Sequence, residues 1–235
     1  MGTYKIADLI VQMDSFGRVM TQAAPYACEE QQPDLVIRSD AKALMERNPH
    51  LSLEDCEYLA TGGSFYRQLL HFGGMMLHAS CVVVDGKAYL FSAPCGTGKS
   101  THVRLWLCLF GDRAYILNDD KPALRFLDGK VFVYGTPWSG KDDCSRNARA
   151  ELGGIAVVRR AAENTMRRLT TEEAVFCLMD QTARSVSAQA QMQCLDMIDR
   201  LIQTGKIWEL CCNMDISAAR LSYETMSGER FEHED

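Results

Sequence analysis

The run Ala93-Pro94-Cys95-Gly96-Thr97-Gly98-Lys99-Ser100 constrains this chain more than any other feature. It has the spacing of a phosphate-binding loop of the Walker A type, with alanine at the first glycine position. Such a loop needs a strand before it and a helix after it, and both neighbours carry the right pattern. Residues 88–91 are a β-rich run. Beyond the loop, Val103, Trp106, Leu107 and Phe110 fall at i, i+3, i+4 and i+7, ahead of a stop at Gly111. The chemistry follows from the parts. Gly96 and Gly98 let the main chain approach a polyphosphate with no side chain in the way. Pro94 opens the loop, and Cys95, Thr97 and the early helical residue Thr101 complete a wall of N–H groups with a concave positive field. Lys99 adds a point charge for the β- and γ-phosphates, and the Ser100 hydroxyl can ligate Mg²⁺. ATP and Mg²⁺ are the cofactors this implies.

A second group follows the next apolar run, residues 114–117, which delivers Asn118-Asp119-Asp120 at its end. Open α/β sheets gather ligands at the carboxyl ends of their strands. One carboxylate there can hold Mg²⁺ and the other can take a proton from an attacking hydroxyl. The plain alternative is an Asn-Asp-Asp turn, since these residue types favour turns. His78 precedes the strand that runs toward the loop. A lone histidine in an apolar stretch is commonly a core residue. Residues 135–141, Gly-Thr-Pro-Trp-Ser-Gly-Lys, form an unusual loop in which Lys141 can touch phosphate and Pro-Trp can anchor a turn. The pairs Arg159-Arg160 and Arg167-Arg168 read as solvated faces that could also meet phosphate.

The remaining pattern is mixed. Asp85-Gly86 and Asp128-Gly129 each join two β-rich runs as hairpins. Strands are expected at residues 5–13, 18–24, 35–38, 155–158 and 207–212. Helices are expected after Ser52, over 64–71, from about Thr171, over 188–204 and after Asp215. This predicts an α/β fold with a mixed β-sheet. The expected division is a small β-rich N-terminal segment (1–70), a loop-bearing catalytic domain (71–226) and a frayed tail (227–235).

With 25 basic and 31 acidic residues the net charge is −6, which argues against nucleic acid or an anionic membrane as partner. The longest run free of Asp, Glu, Lys and Arg, residues 68–84, carries His71, His78 and Gly73-Gly74 and makes a poor membrane span. No signal-peptide pattern opens the chain, so a cytoplasmic protein is expected. The ten cysteines are scattered and form no C-x-x-C, so most read as buried reduced thiols.

The order of a histidine, a short hairpin, the loop Cys95-Gly96-Thr97-Gly98-Lys99-Ser100, a helix, a strand and Asp119-Asp120 resembles the catalytic domain of HPr serine kinase/phosphorylase. The resemblance covers roughly residues 70 to 215. It implies the fold shared with ATP-dependent phosphoenolpyruvate carboxykinase, and an ATP- and Mg²⁺-dependent kinase acting on a serine-type hydroxyl. It also implies that Asp119 is the catalytic base, His78 its partner and Asp120 a metal-side carboxylate, with Lys99 facing the transferred phosphoryl group. The glutamate-arginine signature of HPr kinases has no counterpart here, and residues 134–141 stand in its place. The likeness is therefore to smaller relatives, including small-molecule serine kinases and kinases of ribosomal peptide pathways. The expected partner is a hydroxyl-bearing acceptor (peptide, carrier protein or small molecule), with homo-oligomers left open. An ATP-binding regulator with little turnover is the alternative reading.

Overall fold

Both Asp-Gly pairs turn the chain as expected, with positive φ at Asp85, Gly86, Asp128 and Gly129. In the computed structural model, residues 1–30, 32–183 and 187–231 are described. The N-terminal part contains β1 (Gly2–Ile6), β2 (Leu9–Met13), α1 (Gly17–Ala23), β3 (Leu35–Ile37), α2 (Ala41–Arg47) and α3 (Leu53–Leu69). Then follow β4 (Gly74–Met76), β5 (Ala79–Val84), β6 (Lys87–Ser92), α4 (Lys99–Phe110) and β7 (Ala114–Asn118). Next come β8 (Ala123–Leu127), β9 (Lys130–Tyr134), β10 (Arg149–Arg160) and β11 (Thr165–Arg168). The last elements are α5 (Thr171–Asp180), α6 (Ala188–Gln203), β12 (Ile207–Cys212) and α7 (Ile216–Ser227).

Among the described residues, β1, β2 and β3 form one small sheet, and the remaining nine strands form a mixed sheet. Within the larger sheet β6, β10 and β12 run parallel, while β5 is antiparallel to β6 and to β7. The carboxyl ends of β7, β6, β10 and β12 therefore meet at one edge, with the start of β5 between β7 and β6. Both faces of the sheet are covered. Cys81, Val83, Ala88 and Leu90 face a core shared with α5 and α6. Val82, Val84, Tyr89 and Phe91 face the other side, against α4 and α7. The strict alternation along β5 and β6 is the period of two that a doubly buried strand pair shows.

Several expectations are corrected. Residues 5–13 are a hairpin, turned at Ala7 and Asp8 with φ of 53° and 59°. No glycine signals this turn, because tertiary contacts hold it. Arg125 donates to the Ala7 carbonyl (2.7 Å), and Tyr134 donates to the Asp8 carboxylate (2.7 Å). Residues 18–24 fold into α1 instead of a strand, burying Val19, Gln22 and Ala23 at helical spacing. The two short helices expected around 52 and 64–71 are one helix, α3, running through Gly62-Gly63. Packing favours glycine at position 62, since a Cβ there would come to 3.0 Å from the Trp138 indole. Only Cys56, Cys81, Cys194 and Cys212 are buried thiols. At the C-terminus Ser227 ends α7, the Phe231 ring meets Phe110, and the tail residues 232–235 lie outside the described residues. No helix among the described residues is long and apolar enough to cross a membrane.

The loop's helix is pinned to α7 by a buried polar cluster. His102 Nε2 lies 3.0 Å from the Ser222 hydroxyl, to which Trp106 Nε1 donates at 2.9 Å. Burial pushes the His102 imidazole down to about 4. In the unfolded chain it titrates near 6.5, so below that pH the unfolded state takes up a proton the native state refuses. This group should cost the fold about 2 kcal/mol between pH 7 and pH 5. Denaturant midpoints for wild type and His102→Asn at both pH values check this. A pH slope unchanged by the substitution rules it out.

Candidate active site

The loop of residues 93–100 adopts the backbone its glycines allow, with φ of 77° at Gly96 and 119° at Gly98. Lys99 folds back across it, donating to the carbonyls of Ala93 (2.8 Å) and Pro94 (3.4 Å). Burial lowers the pKa of its ammonium, partly offset by Cys95 and by the carboxylates of Asp120 and Asp119. Arg160, at the end of β10, braces the loop from the other side through the carbonyls of Thr97 (2.9 Å) and Gly96. Of the four arginines in the two basic pairs it alone reaches the loop. Arg159 and Arg167 pair with Glu209 and Arg168 donates to Gly205, so those three serve the β11–β12 face.

The turn after β7 is built by Asn118, which is fully buried. Its Oδ1 accepts from the main-chain N–H of Asp120 (3.0 Å) and Lys121 (2.7 Å). Its amide donates to the Thr136 carbonyl (3.0 Å), fastening the turn to the 135–141 loop. The side-chain turn and the functional reading are thus compatible: the first displays the second. Trp138 is fully buried, stacked on Phe65 at 4.9 Å, and donates to the Thr61 hydroxyl. The indole is an anchor, and what it presents to the site is Ser139, Gly140 and Lys141.

These segments enclose one cavity of about 460 Å³. From the loop and its helix come Cys95, Gly96, Gly98, Lys99, Ser100 and Thr101. From neighbouring segments come His78, Asp119, Asp120 and Lys141. Pro94 and Thr97 are not part of this lining; Thr97 lines a second cavity behind the loop.

The pairing of the histidine departs from expectation. His78 Nε2 lies 3.5 Å from Oδ1 of Asp120, so Asp120 and not Asp119 faces the imidazole. His78 is held by Gln181, whose main-chain carbonyl accepts from the His78 N–H (2.7 Å) and whose Oε1 sits 3.0 Å from Nδ1. Burial and then Lys99 lower its pKa, which keeps the ring neutral near pH 7. With Nδ1 turned to Gln181 Oε1 as donor, the Nε2 lone pair meets a carboxylate oxygen. That pair has room for one proton.

Asp120 has two further partners that no motif marks. Tyr58, buried on α3, donates to its Oδ2 at 2.5 Å and accepts from the Gly140 N–H at 2.9 Å. Burial and then Asp120 raise the Tyr58 pKa, so the phenol stays a donor. The Lys121 ammonium pairs with the same oxygen and lies 4.5 Å from the centre of the Tyr58 ring. Asp119 is different. Its main-chain N–H donates to the Cys144 carbonyl (3.0 Å), but its Oδ1 is buried with no hydrogen-bond partner. A buried carboxylate oxygen left unpaired is costly unless a cation meets it.

That orphaned oxygen suits Mg²⁺, which takes one or two carboxylates and completes its shell with phosphate oxygens and water. No group of three or more His, Cys, Asp or Glu placed to hold a metal ion by itself is present among the described residues. The Ser100 hydroxyl, 3.4 Å from that of Ser80, is the other candidate ligand.

No protein-family model and no curated protein matches the chain. Among solved structures, it is similar to the Hpr(Ser) kinase/phosphatase from Coxiella burnetii at 13% identity and a TM-score of 0.27. The match covers 55% of this chain and 93% of that one. The functional reading rests on the site's own geometry.

Proposed function

We propose that this chain is an ATP- and Mg²⁺-dependent phosphotransferase that moves the γ-phosphoryl group to a hydroxyl, in the manner of an HPr kinase-like enzyme. One observation carries the reading: Lys99, Ser100, Asp119, Asp120 and His78, from three separate segments, line one cavity at the carboxyl edge of the sheet. A nucleotide binder with no chemistry to perform has no use for a histidine–carboxylate pair there.

The roles follow from what each group touches. The loop N–H groups and Lys99 cradle the β- and γ-phosphates. Asp119 and Ser100 would hold Mg²⁺, which would neutralise charge on the phosphate oxygens. Asp120 is the proton acceptor, with His78 behind it to share the proton. As the acceptor oxygen bonds to the γ-phosphorus and the bond to the β-bridging oxygen breaks, the hydroxyl proton passes to the Asp120–His78 pair. This reverses the roles that the resemblance implies for Asp119 and Asp120. Tyr58 and Lys121 hold Asp120 in place, and Arg160 and Gln181 support the loop and the imidazole.

Calorimetric titration with Mg-ATP tests the first step. Wild type should bind, and Lys99→Ala should weaken binding by about tenfold or more, the loss of a charged contact worth roughly 1.5–3 kcal/mol. Equal affinity in both proteins overturns the reading.

A further inference from the structure

One face of α3 turns Tyr58 to Asp120, and the opposite face lines a groove of about 690 Å³ shared with β3 and α2. Ala60 in that lining is two positions beyond Tyr58, a rotation of roughly 200° around the helix. The groove and the catalytic cavity thus sit on opposite sides of one element. Three arginines line the groove from three elements: Arg38 just past β3, Arg47 in the last turn of α2 and Arg67 in the last turn of α3. Leu44, Leu51 and Leu59 make its apolar wall, and Leu59 is 45% exposed.

None of these three guanidinium groups has a hydrogen bond, ion pair or ring contact with a described residue. Surface arginines elsewhere are held, as Arg113 is by Asp85 and Arg149 by Asp8. The lining holds one carboxylate, Asp40, and it is engaged as the cap of α2, accepting from the Ala43 N–H at 2.9 Å. The Asn48 amide is likewise turned to the Leu44 carbonyl (3.0 Å). The helix dipole accounts for a cation at the ends of α2 and α3. It does not account for Arg38, nor for three unpaired cations around apolar surface in a chain of net charge −6. Gly63 adds a further sign. Glycine is a poor helix former, yet it stands inside α3, where a Cβ would come to 3.1 Å from Arg67 Nη1. Its bare face leaves room for that guanidinium.

We propose that this groove docks an acidic peptide segment of a partner protein. Its carboxylates pair with Arg38, Arg47 and Arg67, and its apolar side chains cover Leu44, Leu51 and Leu59. The planar fork of arginine takes a carboxylate through two parallel N–H bonds. Cations on three elements with leucines among them suit a chain that interleaves acidic and apolar residues. A compact anion such as phosphate would leave the leucines uncovered. The inference stands apart from the phosphotransferase reading, because it concerns the other face of α3 and is measured without nucleotide.

The experiment is fluorescence anisotropy of the full chain with a labelled peptide of repeating Glu-Leu-Glu-Ser, beside a Gln-Leu-Gln-Ser counterpart. The acidic peptide should bind about tenfold or more tighter than its neutral counterpart, and the difference should shrink as salt is added. The triple variant Arg38→Gln, Arg47→Gln, Arg67→Gln should lose about tenfold or more for the acidic peptide. All three positions are exposed, and each single substitution should lose about twofold to fivefold should the triple variant fold poorly. Leu59→Ser should weaken the acidic peptide by about fivefold with the arginines intact. No binding of the acidic peptide to wild type overturns the proposal. So does equal affinity for the two peptides, or wild-type affinity in the triple variant. Inorganic phosphate displacing the label as well as unlabelled acidic peptide does makes the groove a simple anion site and overturns the peptide assignment. Retention by phosphatidylserine vesicles in place of the peptide, lost in the triple variant, reassigns it to a membrane surface.

Discussion

Asp120→Asn should lower phosphotransfer by ~10² to 10⁴, the usual worth of general-base assistance, while Mg-ATP affinity stays close to that of wild type. The substitution keeps the shape and leaves Tyr58 a hydrogen-bond partner at 2.5 Å. What it removes is the ability of the carboxylate to take a proton with His78 behind it. Tyr58→Phe offers a graded companion. It deletes one hydrogen bond to a charged group, roughly 1.5–3 kcal/mol, so kcat should fall about tenfold or more with little change in nucleotide binding. Single-turnover transfer from radiolabelled ATP to a panel of acceptors (free serine, serine peptides, HPr-like proteins) supplies the readout. Should Asp120→Asn transfer at the wild-type rate, the proton goes elsewhere and Asp119 returns as base. Should wild type transfer nothing to any acceptor while binding ATP, the regulator reading gains the ground.

Tyr58 also shows where sequence reasoning stops. The loop, its helix, the hairpin before it and the Asp119-Asp120 turn were legible because each is a local pattern whose residues are neighbours in the chain. Lys121 was one position further and could have been found, as a cation following two carboxylates. Tyr58 is 62 residues from Asp120 along the chain, on a helix whose only local signals were the Ser52 cap and its own periodicity. Its role depends on α3 crossing the 135–141 loop, and that crossing depends on Gly62 accepting the Trp138 indole. Nothing local states such a contact. The same limit explains the Ala7-Asp8 turn, which Arg125 and Tyr134 hold from the larger sheet. It explains α1 as well, whose short run of Arg-Val-Met-Thr suits either period until packing on α3 decides. The pairing of His78 with Asp120 was missed for a further reason. Adjacent aspartates are interchangeable in a pattern, and only geometry tells which one the histidine faces.

That geometry makes Asp119→Asn the most discriminating change, because stability and binding should move in opposite directions. In the protein without nucleotide, Asp119 Oδ1 is buried and unpartnered. An unsatisfied buried polar atom costs about 1–3 kcal/mol, more when charged. Replacing the carboxylate with a neutral amide lifts the charged part of that penalty, so the nucleotide-free variant should melt at or above the wild-type temperature. A gain of 1 kcal/mol would appear as roughly 2–4 °C in a chain of this size. Functional sites commonly hold such deferred stability, released when the ligand arrives. The cost of the substitution should appear on adding Mg-ADP. Wild type should gain thermal stability with the logarithm of the Mg²⁺ concentration once that exceeds the dissociation constant, through binding to the native state alone. The variant should need a higher Mg²⁺ concentration for the same gain, since Ser100 would be left as the protein's ligand without its carboxylate partner. Melting curves across a Mg²⁺ series, with and without ADP, measure both effects without any turnover. A variant that melts well below wild type in the absence of nucleotide means that Asp119 is already compensated by the protein. An unchanged Mg²⁺ dependence means that the cation is held elsewhere. Either result removes Asp119 from the metal side and returns it to the turn that Asn118 builds.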